Sequence, residues 1–106
     1  MNILLVNPPR LDERIPVIRE DRCEITDRYA VIPPYSLLQI ASILRERGHH
    51  IVFIDANGEN LTYSEIKRKI SAIQYDILIF RFGPTTFDWD IRVAQISKEL
   101  HSDTIT

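Results

Sequence analysis

The residues able to do chemistry are few: three histidines, one cysteine, and polar groups placed just after apolar runs. Cys23 has no second cysteine with which to form a disulfide or share a metal, so a structural or incidental thiol is the simpler account. His49 and His50 follow Gly48 at the end of a helical pattern, where the helix dipole favours cations. A capping or turn role suits them better than metal ligation, and His101, near another helix end, has the same explanation. There is no Gly-x-Gly-x-x-Gly dinucleotide fingerprint and no Gly-x-x-x-x-Gly-Lys-Ser/Thr phosphate loop. Asn7 and Arg81 stand where a phosphoacceptor receiver domain would carry acids, and Pro8-Pro9-Arg10 stands where a flavin phosphate loop would lie. No poised His, Cys or paired carboxylate is found on the ligand side, and no Cys/His cluster has metal-ligand spacing, so no catalytic residue and no metal ligand is assigned.

Binding chemistry is better supplied. Gly83 permits close backbone approach and Pro84 stiffens the turn. Thr85 and Thr86 add hydroxyls and helix-start N–H groups, which suit amide or phosphate oxygens. The plainer alternative is that both threonines only cap a helix.

The elements that must position these groups follow from hydrophobic period. Ile3-Leu4-Leu5-Val6 is a short apolar run ended by Asn7-Pro8-Pro9, a buried central strand. Pro33 and Pro34 open a helix carrying Leu37, Leu38, Ile40, Ala41 and Leu44, and Gly48 is placed to end it in the left-handed conformation. Ile51-Val52-Phe53-Ile54 reads as a second strand, buried on both faces, stopped by the turn formers Asp55-Ala56-Asn57-Gly58. Thr62-Tyr63-Ser64-Glu65 is a capping-box pattern opening a helix to about Ile73. Ile77-Leu78-Ile79-Phe80 is the third strand. Thr85 with Asp88 is placed to cap a third helix, with Trp89, Val93, Ile96 and Leu100 as its stripe. Thr104-Ile105-Thr106 begins a fourth strand.

This order predicts an α/β doubly wound parallel sheet, flavodoxin-like, with the first strand between the second and third and truncated after the third helix. Ligands in such sheets bind outside the carboxyl ends of the strands, here beside the loops starting at Asn7 and Arg81. Residues 10–32 form a long charged excursion from that same end, including Arg10, Asp12, Glu13, Arg14, Arg19, Glu20, Asp21 and Arg22. A loop of that length covers a ligand, docks a partner or is a solvated excursion. Its charge density predicts that residues 10–26, alone, are poorly ordered or held by a neighbouring molecule.

Composition narrows the classes. With 106 residues the chain predicts one domain, 1–106. Thirteen basic against 15 acidic residues, a formal charge of −2, point away from nucleic acid. Apolar runs fall far short of the ~20 residues needed to cross a bilayer, so no membrane role is expected. The start shows no basic n-region and cleavage site, and the lone cysteine suits a reducing, cytoplasmic setting.

Taken together, several stretches resemble one family. They are Ile3-Leu4-Leu5-Val6-Asn7-Pro8-Pro9, Pro33-Pro34 opening a Leu-rich helix, Arg45-Glu46-Arg47-Gly48-His49, Ile54-Asp55-Ala56-Asn57 and the Pro84-Thr85 turn. Arg19-Glu20-Asp21-Arg22-Cys23-Glu24 adds to the likeness. The chain resembles the N-terminal cobalamin-binding domain of cobalamin-dependent radical S-adenosylmethionine enzymes, of the anaerobic magnesium-protoporphyrin monomethyl ester cyclase and methyltransferase type. The resemblance implies a Rossmann-like domain, the N-terminal fragment of a longer enzyme, that presents its strand ends to cobalamin. Asn7, Pro8, Pro9, Arg81, Gly83, Pro84, Thr85 and Thr86 are then the cofactor-binding residues. The iron–sulfur cluster and S-adenosylmethionine would belong to a downstream radical domain, the partner within the same chain. The Cys-x-x-x-Cys-x-x-Cys motif of that domain is absent, as is the Asp-x-His-x-x-Gly motif that gives cobalt a histidine. Arg81 departs from the family pattern, a long cation placed either to hydrogen-bond the cofactor or to block it. The alternative function is a degenerate module serving domain or subunit contact. An open edge at the third strand predicts self-association, and the missing later strands predict weak or no cobalamin binding by this chain alone.

Overall fold

The computed structural model describes residues 1–19, 24, 25 and 31–106. Cys23 and the segment from Glu20 to Arg22 lie outside the described residues, as do residues 26–30. The centre of the molecule is β1 (Asn2–Asn7). Its apolar run buries Leu4 and Val6 on one face and Ile3 and Leu5 on the other, because successive strand side chains alternate. Two parallel strands flank it, β4 (His50–Asp55) and β5 (Ile77–Phe80), in the order β4-β1-β5. A separate antiparallel pair joins β2 (Val17–Ile18) to β3 (Glu24–Ile25).

Helices cover both faces. On one lies α1 (Tyr35–Glu46), with Leu37 packed on Ile3 and Leu5. It begins after Pro34 and ends at Gly48, whose φ of 89° is the left-handed conformation predicted for it. On the other face lie α3 (Tyr63–Ser71) and α5 (Arg92–Leu100), bringing Ile66, Ile70 and Val93 against Leu4, Val6 and Leu78. Each such side chain, buried, contributes about 1.5–3 kcal/mol of hydrophobic stabilisation. The capping box forms: Glu65 N donates to Thr62 Oγ1, and Thr62 N donates to Glu65 Oε1, both at 3.2 Å. The protein is thus a mixed α/β fold with a three-stranded parallel sheet.

Ile105 forms an isolated parallel bridge to Ile77, with Leu78 N donating to Ile105 O at 2.7 Å and Ile105 N to Asp76 O at 3.0 Å. The fourth strand therefore begins where the sequence placed it, and it covers part of the outer edge of β5.

Four expectations need correction. The strand β4 is an edge strand, so Ile51, Val52 and Phe53 are only half-buried. The turn formers after it instead make a short helix, α2 (Ala56–Glu59), because Asp55 Oδ1 accepts from Gly58 N at 2.9 Å. The third helix is two pieces, α4 (Phe87–Asp90) and α5, and Thr85 does not cap it: Thr86 is the N-cap residue, without a side-chain cap bond. The excursion, finally, is ordered through its described first part, for reasons given below.

Candidate functional site

The carboxyl ends of β1, β4 and β5 point the same way, and the groups beyond them are tied together. Asn7 Nδ2 donates to Asp55 Oδ1 at 2.9 Å, linking the ends of β1 and β4. Asp90, fully buried, links the β5 loop to everything else. Its Oδ2 accepts from Gly83 N at 3.1 Å and from Thr86 Oγ1 at 2.7 Å.

Over these ends runs a strap, residues 10–19. Leu11 N donates to Ile15 O at 2.8 Å and Ile15 N to Leu11 O at 3.0 Å, around a tight turn in which Asp12 and Glu13 both take positive φ, 50° and 61°. That conformation is uncommon for residues with a side chain. Glu13 Oε1 accepts from Tyr63 N at 3.2 Å, and Arg10 Nε donates to Asn57 O at 2.8 Å. Val17 is buried, and its N–H donates to Asn57 Oδ1 at 2.8 Å.

The strap ends in a buried ion pair. Arg19 Nε donates to Asp90 Oδ2 at 3.0 Å and Nη2 to Asp90 Oδ1 at 2.7 Å, a two-pronged contact. The same guanidinium donates to Pro8 O at 3.0 Å and Pro9 O at 2.8 Å, and more weakly to Asn7 Oδ1 at 3.4 Å. The two prolines leave carbonyls with no ladder partner, and Arg19 satisfies both. This is what ties residues 10–19 down despite their charge: the Arg19 charge is consumed inside the fold, and Val17 supplies an apolar anchor.

Among the described residues, one buried side-chain polar atom is left over. Asn57 is fully buried, its Oδ1 is occupied by Val17, and its Nδ2 has no hydrogen-bond partner. A buried donor left without a partner costs about 1–3 kcal/mol.

Beside the strap, an open cavity of about 470 Å³ is lined by Leu11, Asp12, Pro84, Thr85, Phe87, Asp88 and neighbouring residues of α4 and α5. The Arg92 guanidinium lies 4.7 Å from the Trp89 ring centre. The Trp89 ring stands edge-on to Tyr63, and its Nε1 donates to Pro9 O at 3.3 Å. Burial pushes the Tyr63 phenol well above its ordinary range, and the nearby Asp90 carboxylate adds to this. The Tyr63 hydroxyl donates to Trp89 O. Phe82 and Phe87 are exposed, with ring centres 4.9 Å apart and edge to face.

The sequence-predicted site residues therefore divide. Asn7, Pro8, Pro9, Gly83 and Thr86 are brought to one place but are buried there. Pro84 and Thr85 are exposed at the cavity. Arg81 turns to Ser36 at the start of α1. His49 and His50 stand at the opposite end of the sheet, where His50 N donates to Met1 O at 3.0 Å. His101 Nε2 lies 3.0 Å from Ile70 O, with its ring edge-on to Tyr75. Among the described residues no group of three His, Cys, Asp or Glu side chains could hold a metal ion, and no helix is long and apolar enough to cross a membrane. Arg19, Asp90 and Asn57 were missed by sequence reasoning. The pairing of Arg19 with Asp90 spans 71 positions and leaves no local pattern.

A scan against protein-family models, a search of curated proteins and a search of solved structures each returned no match for this chain.

Proposed function

We propose that the chain is a Rossmann-like module that binds cobalamin for a radical S-adenosylmethionine domain and performs no catalysis by itself. Support comes from the strand order β4-β1-β5 with its carboxyl-end loops converging, beside a rim of exposed Phe82, Pro84, Thr85 and Phe87. A corrin is a flat macrocycle with an apolar face and amide arms. Exposed aromatic rings, a proline and a threonine hydroxyl are the chemistry such a surface needs. Asn7, Pro8 and Pro9 do not fit that role while Arg19 covers them, so contact falls to the rim. The histidines lie away from it, so the module would hold the corrin without an imidazole on cobalt. When bound, cobalamin supplies methyl-transfer or radical-assisted chemistry to the enzyme as a whole. This chain's residues position it and exclude water from one of its faces.

The test is amide and side-chain NMR of the chain titrated with hydroxocobalamin at submillimolar concentration. Shifts concentrated at Phe82 and at residues 84–87 are the expected result. Shifts confined to the histidine end of the sheet would refute the assignment.

A second reading is a degenerate module used for domain or subunit contact. It is favoured by the filled strand ends and by exposed Tyr35, Leu38, Ile40 and Ile43 on α1. Sedimentation showing a concentration-dependent dimer, with no corrin-induced shifts, is its signature.

A further inference from the structure

We infer that the strap of residues 10–19 is a displaceable cover, and that Asn57 beneath it is a ligand-binding residue that donates to an amide or phosphate oxygen. This rests on the corrinoid reading above for the identity of the ligand, but the motion of the strap does not.

Three independent observations carry it. First, apart from its β2–β3 pairing, the bonds described between the strap and the rest of the fold run through the side chains of Arg10, Glu13, Arg19 and Asn57. The deepest are Val17 N on Asn57 Oδ1 and the Arg19 guanidinium on Asp90, Pro8 O and Pro9 O. Second, closing the strap has an opposing term: the Asn57 Nδ2 donor is buried with no acceptor. Lifting the strap relieves it. Third, what lies underneath is made for acceptors and donors rather than for core. The Asn57 amide, the Asn7 amide and the carbonyls of Pro8 and Pro9 sit together past the carboxyl ends of β1 and β4. That is the ligand side of a parallel sheet. With the strap open, Asn57 presents a whole carboxamide, able to accept through Oδ1 and donate through Nδ2. Side-arm amides of a corrin are complementary to both atoms, and a phosphate oxygen would take only the donor.

Hydrogen exchange of the ligand-free chain tests the motion first. The Val17 amide, bonded to the Asn57 side chain, should exchange at least 100-fold faster than the Leu4 and Leu5 amides of β1, with little urea dependence. Equal protection of Val17 and the β1 amides overturns the cover. Binding tests the ligand role. Arg19→Met unlatches the strap, and it should bind dicyanocobinamide at least tenfold tighter than the unmodified chain. Adding Asn57→Ala should remove that gain. Arg19→Lys keeps a cation at Asp90 but loses the fork, and serves where Arg19→Met does not fold. Hydroxocobalamin, which carries the nucleotide phosphate that cobinamide lacks, separates the two acceptors. A gain for cobinamide assigns the amide arms, and a gain for hydroxocobalamin alone assigns the phosphate. An unlatched chain that binds no tighter, while Val17 exchanges fast, overturns the role of Asn57 and leaves the rim assignment standing on its own NMR result.

Discussion

Asp90→Ala removes a carboxylate on which four hydrogen bonds converge: Arg19 Nε and Nη2, Gly83 N and Thr86 Oγ1. The Arg19 charge is then left in a site where its side chain is 2 % exposed. Removing one partner of a buried pair typically costs about 3–5 kcal/mol, against a total of roughly 5–15 kcal/mol for a domain of ordinary stability. The strap sets a ceiling on this. If it lifts, Arg19 rehydrates, so the loss belongs at the lower end, about 3 kcal/mol. For a urea m-value of about 1–3 kcal/mol/M, the midpoint falls by on the order of 2 M. The double variant Arg19→Met/Asp90→Leu removes both charges and should be more stable than Asp90→Ala alone. The assay is urea unfolding followed by circular dichroism and by the single tryptophan, Trp89, which neighbours Asp90. A loss below about 1 kcal/mol for Asp90→Ala, or a double variant whose cost is the simple sum of the single ones, would refute the reasoning, since a coupled pair is non-additive.

Other expectations follow from single contacts. The Tyr63 phenol is raised above its ordinary value of 10.0, so the unfolded chain loses this proton first as pH rises. The stability it contributes is whole below pH 10 and is lost above it; Tyr63→Phe should flatten that alkaline loss in urea midpoints measured from pH 8 to 11. Thr62→Ala breaks the capping box of α3 and should cost about 1 kcal/mol in the same assay. A Cβ at Gly58 would stand 2.2 Å from Asp55 Oδ2, so Gly58→Ala must displace that carboxylate from both Gly58 N and Asn7 Nδ2. Two lost bonds give a cost of about 2 kcal/mol, and an unchanged midpoint would show that Asp55 finds equivalent partners.

What the sequence made legible is what neighbouring residues decide. Pro33 and Pro34 start α1, Gly48 ends it at φ 89°, and Thr62 with Glu65 closes its box, each within a few positions. Short apolar runs separated by helical ones suffice to give parallel strands with β1 in the middle. Even the bridge from Ile77 to Ile105 is anticipated by a run of three residues. The site was less legible. Asn7, Pro8, Pro9, Gly83 and Thr86 were correctly placed at one end, but exposure is a property of what lies above them, and that is the strap. Its composition argued for disorder because charge usually seeks water. Arg19 instead meets Asp90, two proline carbonyls and the Asn7 amide, partners scattered over the chain.

The buried pair also bears on which function the fold serves. An isolated ion pair in a core is a poor source of net stability, because desolvating both charges offsets most of their attraction. Well-packed apolar residues could have closed the strand ends with as much stability. They would, however, have closed them for good: an apolar plug loses favourable burial with every step of opening. A guanidinium and a carboxylate regain hydration as they part, and the strap carries Arg19 toward solvent as it lifts. The Asn57 donor adds to the same balance, since it is satisfied only when something other than Val17 comes within reach. A domain kept purely for contact has no use for a donor stranded beneath its cover. A cofactor module does, because the ligand that displaces the strap can supply the missing acceptor. The orphaned amide of Asn57, more than the strand order, therefore weighs toward binding over scaffolding.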